Sequence, residues 1–297
     1  MSRHYSLLPD RGVLTVGGPD RVEFLQGLIS NDVTRVADDR SIWAAYLTPQ
    51  GKYLHDFFVM ELDGVFGLDC EAARLTDLGQ RLNRHKLRAK IELGIGESFA
   101  VLALFGADAL AALELPEEAG AARRLGGGVV FVDPRLPQAG ARAVLPKDEA
   151  ASIVEALGFL SADAAQYDDL RLELGLSDGS RDMIVEKSVL LECNFDELHG
   201  VDWDKGCYMG QELTARTKYR GLLKKRLVPV MLEGPVPETG AAIFSDKKEV
   251  GEIRSVRGNR GLAILRLEVL SSAETGGAGL KAGETKVFPQ KTDWVNF

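Results

Sequence analysis

Cysteine is scarce in this sequence, and where it occurs it is unpaired. Only Cys70, Cys193 and Cys207 are present among 297 residues, and no two form a CxxC pair. The four histidines, His4, His55, His85 and His199, are scattered without metal-ligand spacing. The chain therefore has too few paired thiolates to hold a conventional metal cluster itself, and no metal ligands are assigned. Long apolar runs are also missing: none approaches the roughly twenty residues needed to span a bilayer. The stretch from Met1 to Asp10 has no hydrophobic signal region ahead of its proline and acid. A cytoplasmic protein without membrane contact is the expectation. Positive charge is in deficit, with a formal net charge of -8. That argues against sequence-independent nucleic-acid binding, which needs a basic field to displace counterions.

What is present is ordinary globular material, 45% hydrophobic and 27% charged, in a chain long enough for two or three compact units. Gly12–Val16 reads as a strand ended by Gly17 and Gly18, followed by a helix opening at Pro19-Asp20. There Asp20 and Glu23 have capping-box spacing, and Phe24, Leu25, Leu28 and Ile29 form the apolar face. Ile42–Leu47 and Tyr53–Met60 read as strands around Thr48-Pro49-Gln50-Gly51-Lys52. Asp63-Gly64 reads as a hairpin turn, and 71–85 as a helix with Ala72, Leu75, Leu78 and Leu82 on one face. Further strands are expected over 99–105, 129–132 and 141–145, with helices near 108–113, 147–157 and 164–174. Gly126-Gly127-Gly128 lacks the Lys-Ser/Thr of a phosphate loop and reads as a hairpin turn. After Gly221 the texture changes to short strands separated by Gly, Pro and Asp. A small β-barrel or sandwich is expected from about residue 222, with a mobile loop over 271–279 before its last strand.

The densest stretch is Lys205-Gly206-Cys207-Tyr208-Met209-Gly210-Gln211-Glu212, ahead of a helix expected over about Gln211 to Arg220 with Gly221 as its C-terminal cap. A thiol here has two readings. It is a small buried residue in a tight turn, or a thiolate favoured by a helix N-terminus and by Lys205. Two glycines, a lysine, a glutamine and a glutamate in eight positions are poor core material, which favours a backbone approached closely by something else. Asp56, an acid in an apolar strand, needs a partner wherever it is buried. Cys70 and Cys193 read as packed thiols. Two basic clusters, Arg81 to Lys90 and Arg216 to Arg226, read as solvated faces or as attractors for a ligand's carboxylates.

The stretch KGCYMGQE, followed by TAR, resembles the signature of the YgfZ family, folate-binding proteins related to the T-protein (aminomethyltransferase) of the glycine cleavage system. Mitochondrial homologues in that family assist iron–sulfur cluster maturation. Gly17-Gly18-Pro19-Asp20, Phe24-Leu25-Gln26-Gly27, Asn31-Asp32-Val33 and Leu47-Thr48-Pro49-Gln50-Gly51-Lys52 resemble the family in the same order. The resemblance implies an α+β fold: two interlocked α+β subdomains over residues 1–221 and a C-terminal β-barrel over 222–297, arranged around a central hole that holds tetrahydrofolate or a one-carbon derivative. It implies Glu192 as the anchor of the pterin, whose amino group and ring N–H a carboxylate accepts in bidentate fashion. It places Asp56 near the reactive nitrogens, Lys205, Cys207 and Gln211 along the cavity, and Arg216 on a carboxylate. Asp32 is a weaker candidate for contact. Catalytic roles, where there is catalysis, fall to Cys207, Asp56 and Lys205.

The implied function is tetrahydrofolate binding in the service of iron–sulfur enzymes as clients, by a chain expected to act as a monomer. One route is folate-dependent one-carbon chemistry at Cys207, which would make the protein a transferase. Another is non-catalytic, with folate occupancy gating docking on clients. A third reading is a true aminomethyltransferase. Against it, the T-protein stretch resembles KGDFIGRE, with an acid in place of the thiol, and the acid pair of T-proteins is here His55-Asp56.

Overall fold

The computed structural model describes residues 2–273 and 279–295. The chain gathers into two compact units, one of Met1–Leu47, Leu54–Tyr167 and Leu198–Met209, the other of Thr48–Tyr53, Asp168–Glu197 and Gly210–Phe297. The fold is α+β, as expected, and its C-terminal strands close into a six-stranded barrel.

The first unit holds two sheets. The five-stranded sheet runs Ile42–Leu47, Tyr53–Leu62, Val65–Glu71, Arg11–Gly17, Glu92–Ile95. Its central hairpin turns at Asp63 and Gly64, both with positive φ (53° and 85°), the conformation that a two-residue turn between right-twisted strands demands. The helix Leu75–Lys86 packs on Arg11–Gly17, burying Leu78 and Leu82. Gly12 permits this contact, because a Cβ there would meet Leu75 Cδ1 at 2.6 Å. The six-stranded sheet runs Leu160–Ser161, Arg3–Leu7, Phe99–Gly106, Ala141–Pro146, Gly128–Val132, Ala122–Leu125. Its core includes Leu102, Leu104, Val130, Val132, Leu145 and Phe159. Gly126 and Gly127 form a hairpin turn, as read from the sequence.

One helix start differs from expectation. Asp20 does not close a capping box on the helix Arg21–Gln26, since its carboxylate instead accepts the backbone N–H of Lys90 at 2.7 Å. A distant donor outcompetes the local one, and Phe24 and Leu25 still form the buried face.

Buried charge in this unit is closed on itself. Asp69, fully buried on Val65–Glu71, accepts Arg11 Nε at 2.7 Å on one oxygen and Arg142 Nε and Nη2 at 2.9 and 2.6 Å on the other. Arg135 grips Asp133 through two nitrogens, and both Arg135 and Arg142 donate to Tyr167 Oη. The Phe58 ring lies within 6 Å of all three guanidinium carbons, at 5.8, 4.9 and 4.2 Å for Arg11, Arg135 and Arg142.

In the second unit the closed barrel runs Lys225–Glu233, Arg260–Arg266, Lys248–Arg257, Ala242–Ser245, Leu280–Ala282, Thr285–Pro289. Val228, Val230, Ile253, Ala263, Leu265 and Val287 fill its core. A separate apolar cluster of Leu172, Leu227, Leu262 and Ile264 joins the alternate residues of two strands to the helix Ala164–Leu174. Between Ile253 and Val256 the register slips, so that two residues, Arg254 and Ser255, face one on the neighbouring strand. Such a bulge re-aims side chains. The helix Leu267–Ala273 takes up the start of the run expected as a mobile loop, and residues 274–278 of that run lie outside the described residues. Among the described residues no helix is long and apolar enough to cross a membrane.

Candidate functional site

The segment carrying Lys205 and Cys207 is tied down residue by residue. Asp202 Oδ1 accepts the backbone N–H groups of Asp204 and Lys205, an Asx turn that starts the KGC stretch. Ser30 Oγ donates to the Gly200 carbonyl, Asn31 Nδ2 to the carbonyls of His199 and Trp43, and Met209 N to Gly27. Lys205 is the buried pin of this clasp: its Nζ donates to the carbonyls of Ile29 and Asn31, each at 2.7 Å, and stands 5.2 Å from the Tyr208 ring centre. Burial lowers Lys205 to about 8, against the pull of Asp32 and Asp202. Asp32, the weaker candidate, accepts from Thr34 and Gln26, and these bonds outweigh its burial and hold it below the usual carboxylate range. Cys207 itself is exposed, three residues ahead of the Gly210 helix cap. Cys70 and Cys193 are buried, and burial pushes the Cys70 thiol up to about 12.

Asp56 is buried and accepts the indole N–H of Trp43 at 3.1 Å. Trp43 in turn offers its carbonyl to Asn31, whose own carbonyl holds Lys205, so Asp56 and Lys205 are joined through two intermediaries. His55 is also buried, with its Nε2 at 2.9 Å from Asp77 Oδ2. Burial and Arg74 drive His55 down to about 4 despite that carboxylate, so it is neutral at physiological pH.

Glu192 has the opposite character. It lies on the short 3₁₀ turn Leu190–Cys193, ended by Asn194 in the left-handed region. That turn is fixed to the barrel because Asn194 Nδ2 donates to the Leu227 carbonyl and Arg226 donates to Asn194 Oδ1. The Glu192 carboxylate is half-buried and makes no hydrogen bond or ion pair among the described residues. Burial pushes it above the usual range, while Lys225, Lys52 and Arg254 pull it down. One loop, carrying Lys52, and two barrel strands, carrying Lys225 and Arg254, each bring a cation toward it, and none of the three closes onto it.

The helix Gln211–Tyr219 packs on this turn. It ends as expected at Gly221, which has φ 58°, with Gly221 N and Leu222 N returning to the carbonyls of Lys218 and Thr217 in a Schellman arrangement. Gly51 (φ 77°) presses on the helix start, where a Cβ would meet Leu213 Cβ at 2.6 Å and the Gly210 carbonyl at 2.7 Å. This contact seats the turn that carries Lys52. Gln211 is partly buried, whereas Arg216 is exposed, with Glu212 at 4.0 Å. In the second basic cluster, Lys218 and Arg226 are engaged with Asp196 and Glu197.

The six residues proposed from sequence thus fall into two sets. Asp56, Lys205 and Cys207 belong to the first unit, and Glu192, Gln211 and Arg216 to the second. Sequence reasoning missed the cations around Glu192. Lys52 and Lys225 were visible within a motif and a basic cluster, but nothing local marked Arg254. A cleft of about 560 Å³ also opens in the first unit, lined by Asp108, Leu110, Leu115, Glu117 and Leu136 among others, and holds none of the six.

Comparison with known proteins agrees with this architecture. Residues 224–297 match the CAF17 C-terminal beta-barrel domain. The chain is 32% identical to the iron-sulfur cluster assembly factor IBA57, mitochondrial, of Mus musculus, over 89% of this chain and 77% of the relative. It is 28% identical to an IBA57 homolog, mitochondrial, of Neosartorya fischeri, over 98% of this chain and 75% of the relative. The crystal structure of glycine cleavage system aminomethyltransferase T from Bartonella henselae superposes with a TM-score of 0.78 at 17% identity, covering 99% of this chain and 86% of that one. This last likeness establishes the fold alone. The relatives are mitochondrial by name, which overturns the expectation of cytoplasmic residence. That expectation rested on the lack of a hydrophobic signal region, a feature that mitochondrial targeting, with its amphipathic Arg-rich leaders, does not use.

Proposed function

The chain belongs to the IBA57 family of iron–sulfur cluster assembly factors, and from that membership we propose that it serves iron–sulfur cluster assembly as a tetrahydrofolate-binding protein anchored on Glu192. The observation that carries the folate assignment is the state of that carboxylate: half-buried, raised by burial, and without a bonded partner among the described residues, beside three cations. A group so placed accepts a donor pair readily, because each bond it gains offsets desolvation already incurred. The amino group and ring N–H of a pterin are such a pair. The likeness to YgfZ proteins in KGCYMGQE supports the same ligand. When bound, tetrahydrofolate supplies a carrier for one-carbon units. Gln211 stands at the start of the helix that packs on the Glu192 turn, and Arg216, exposed on that helix and only loosely paired with Glu212, can meet a tail carboxylate.

The exposed Cys207 favours contact with a client over chemistry shielded from water. Lys205 holds the segment that presents it. Aminomethyl transfer is disfavoured at the acid pair, since His55 is held by Asp77 and Asp56 by the Trp43 indole.

Calorimetric titration with tetrahydrofolate tests the proposal on the wild type, Glu192→Ala and Cys207→Ser. Saturable binding that is lost in Glu192→Ala and kept in Cys207→Ser supports it. No binding to the wild type removes the folate assignment.

A further inference from the structure

The bulge in the barrel strand Lys248–Arg257 places two consecutive polar residues opposite one partner residue. Ser255 is fully accounted for: its backbone N–H and Oγ both donate to Asp182 Oδ1, and Arg171 Nη2 donates to its Oγ. Arg254 is not. Its side chain is buried, its Nη1 donates to Glu252 Oε1 at 2.8 Å, and its Nε is buried without any partner. Its second amino nitrogen makes no hydrogen bond among the described residues. A buried Nε without a partner is costly, and the second amino nitrogen, which is not sealed off from solvent, is the group an acceptor from outside the chain can reach.

The barrel register shows where that acceptor would sit. Leu227 pairs with Ile264, and Ile264 with Glu252, so these three residues lie side by side on one face of three neighbouring strands. Leu227 and Ile264 belong to the apolar cluster outside the barrel core, and Leu227 is also where Asn194 anchors the Glu192 turn. Arg254 belongs to the bulge, and its bond to the Glu252 carboxylate keeps its guanidinium beside Glu252. Its charge is felt at Glu192 together with those of Lys52 and Lys225.

We infer that Arg254 reads a carbonyl oxygen adjoining the donor pair taken by Glu192, so that the two residues together select a 2-amino-4-oxo pyrimidine edge over a 2,4-diamino one. This rests on the folate reading above. A carboxylate for two donors and a guanidinium for the neighbouring acceptor match the order of groups along a pterin edge. A 4-amino group would instead turn a donor toward Arg254 and leave the guanidinium unsatisfied.

The test is calorimetric titration of the full chain with tetrahydrofolate and with its reduced 2,4-diamino analogue, in the wild type, Arg254→Leu and Arg254→Gln. The analogue also loses the N3 proton, but Glu192 feels that loss in every variant. The readout is therefore the part of the preference that moves with residue 254. A charge-assisted hydrogen bond predicts that Arg254→Leu narrows the preference for the 4-oxo ligand by roughly tenfold to a hundredfold. Arg254→Gln, which keeps a polar group but no charge, narrows it less. The preference is a ratio within one protein, so a general loss of stability does not mimic the result. Should tetrahydrofolate bind and both variants keep the full wild-type preference, the role of Arg254 is overturned while the folate reading stands. If the wild type binds neither ligand, both fall together.

Discussion

Two charged clusters, one in each compact unit, both set carboxylates among cations and have opposite chemistry. Around Phe58, each buried carboxylate is met by guanidinium nitrogens at bonding distance: Asp69 by Arg11 and Arg142, and Asp133 by Arg135. Around Glu192, three cations stand within electrostatic reach and none forms an ion pair with it. A closed cluster has no unmet demand and serves to hold two sheets in register. An open one retains a half-buried carboxylate and a guanidinium bonded through one nitrogen, which a ligand can complete. Closure, rather than charge or burial, separates architecture from a candidate site.

The comparison breaks most visibly at Asp69. Asp69→Asn leaves Arg11 and Arg142 buried without their counter-charge, and urea unfolding should show a loss of about 3–5 kcal/mol. The next effect is the acid response of the first unit. His55, held neutral with its value lowered from 6.5 to about 4, binds fewer protons when folded than when unfolded across that interval. Stability therefore falls as pH drops from the ordinary histidine value through about 4, by on the order of 3 kcal/mol. His55→Gln should flatten this slope in unfolding curves measured across that range. Gly51→Ala comes third. It forces a Cβ onto Leu213 and the Gly210 carbonyl in a left-handed backbone, at a cost of about 1–3 kcal/mol. Because Gly51 seats the turn bearing Lys52, the same change should weaken tetrahydrofolate binding in titration.

The smallest stability effect belongs to the open cluster. Glu192 has a raised value, so the folded chain holds its proton longer than the unfolded one. Stability declines slightly as pH rises from the ordinary carboxylate range through the raised value, and it is flat above. Glu192→Gln should remove that decline and shift unfolding by no more than about 0.5 kcal/mol at neutral pH. A large destabilisation would place Glu192 with the architectural charges.

Much of the fold was legible because its signals are local. Asp63-Gly64 demanded a hairpin, Gly221 ended a helix, and alternating short strands after residue 222 closed into a barrel. The spacing of Leu78 and Leu82 marked a helix face. The short strands Arg3–Leu7 and Ala122–Leu125 were not legible, since their pairing is set by neighbours far along the chain. The same limit governs the site. Glu192 could be singled out through resemblance, but the cations around it come from residues 52, 225 and 254, and Arg254 is aimed by a bulge that leaves no local trace. Asp69 and Arg142 are separated by 73 residues, so the closed cluster was equally hidden. Lys205 was expected along a cavity, and the structure shows its ammonium bonded to two backbone carbonyls.

The most direct test of the central claim is the stabilisation conferred by saturating tetrahydrofolate, read by urea unfolding of the wild type and Glu192→Gln side by side. Binding to the folded state alone at a hundredfold excess over Kd adds about 2.7 kcal/mol. The wild type should gain that amount, and Glu192→Gln, equally stable without ligand, should gain almost none. Equal stabilisation of both proteins would contradict the assignment of the open cluster as the folate anchor.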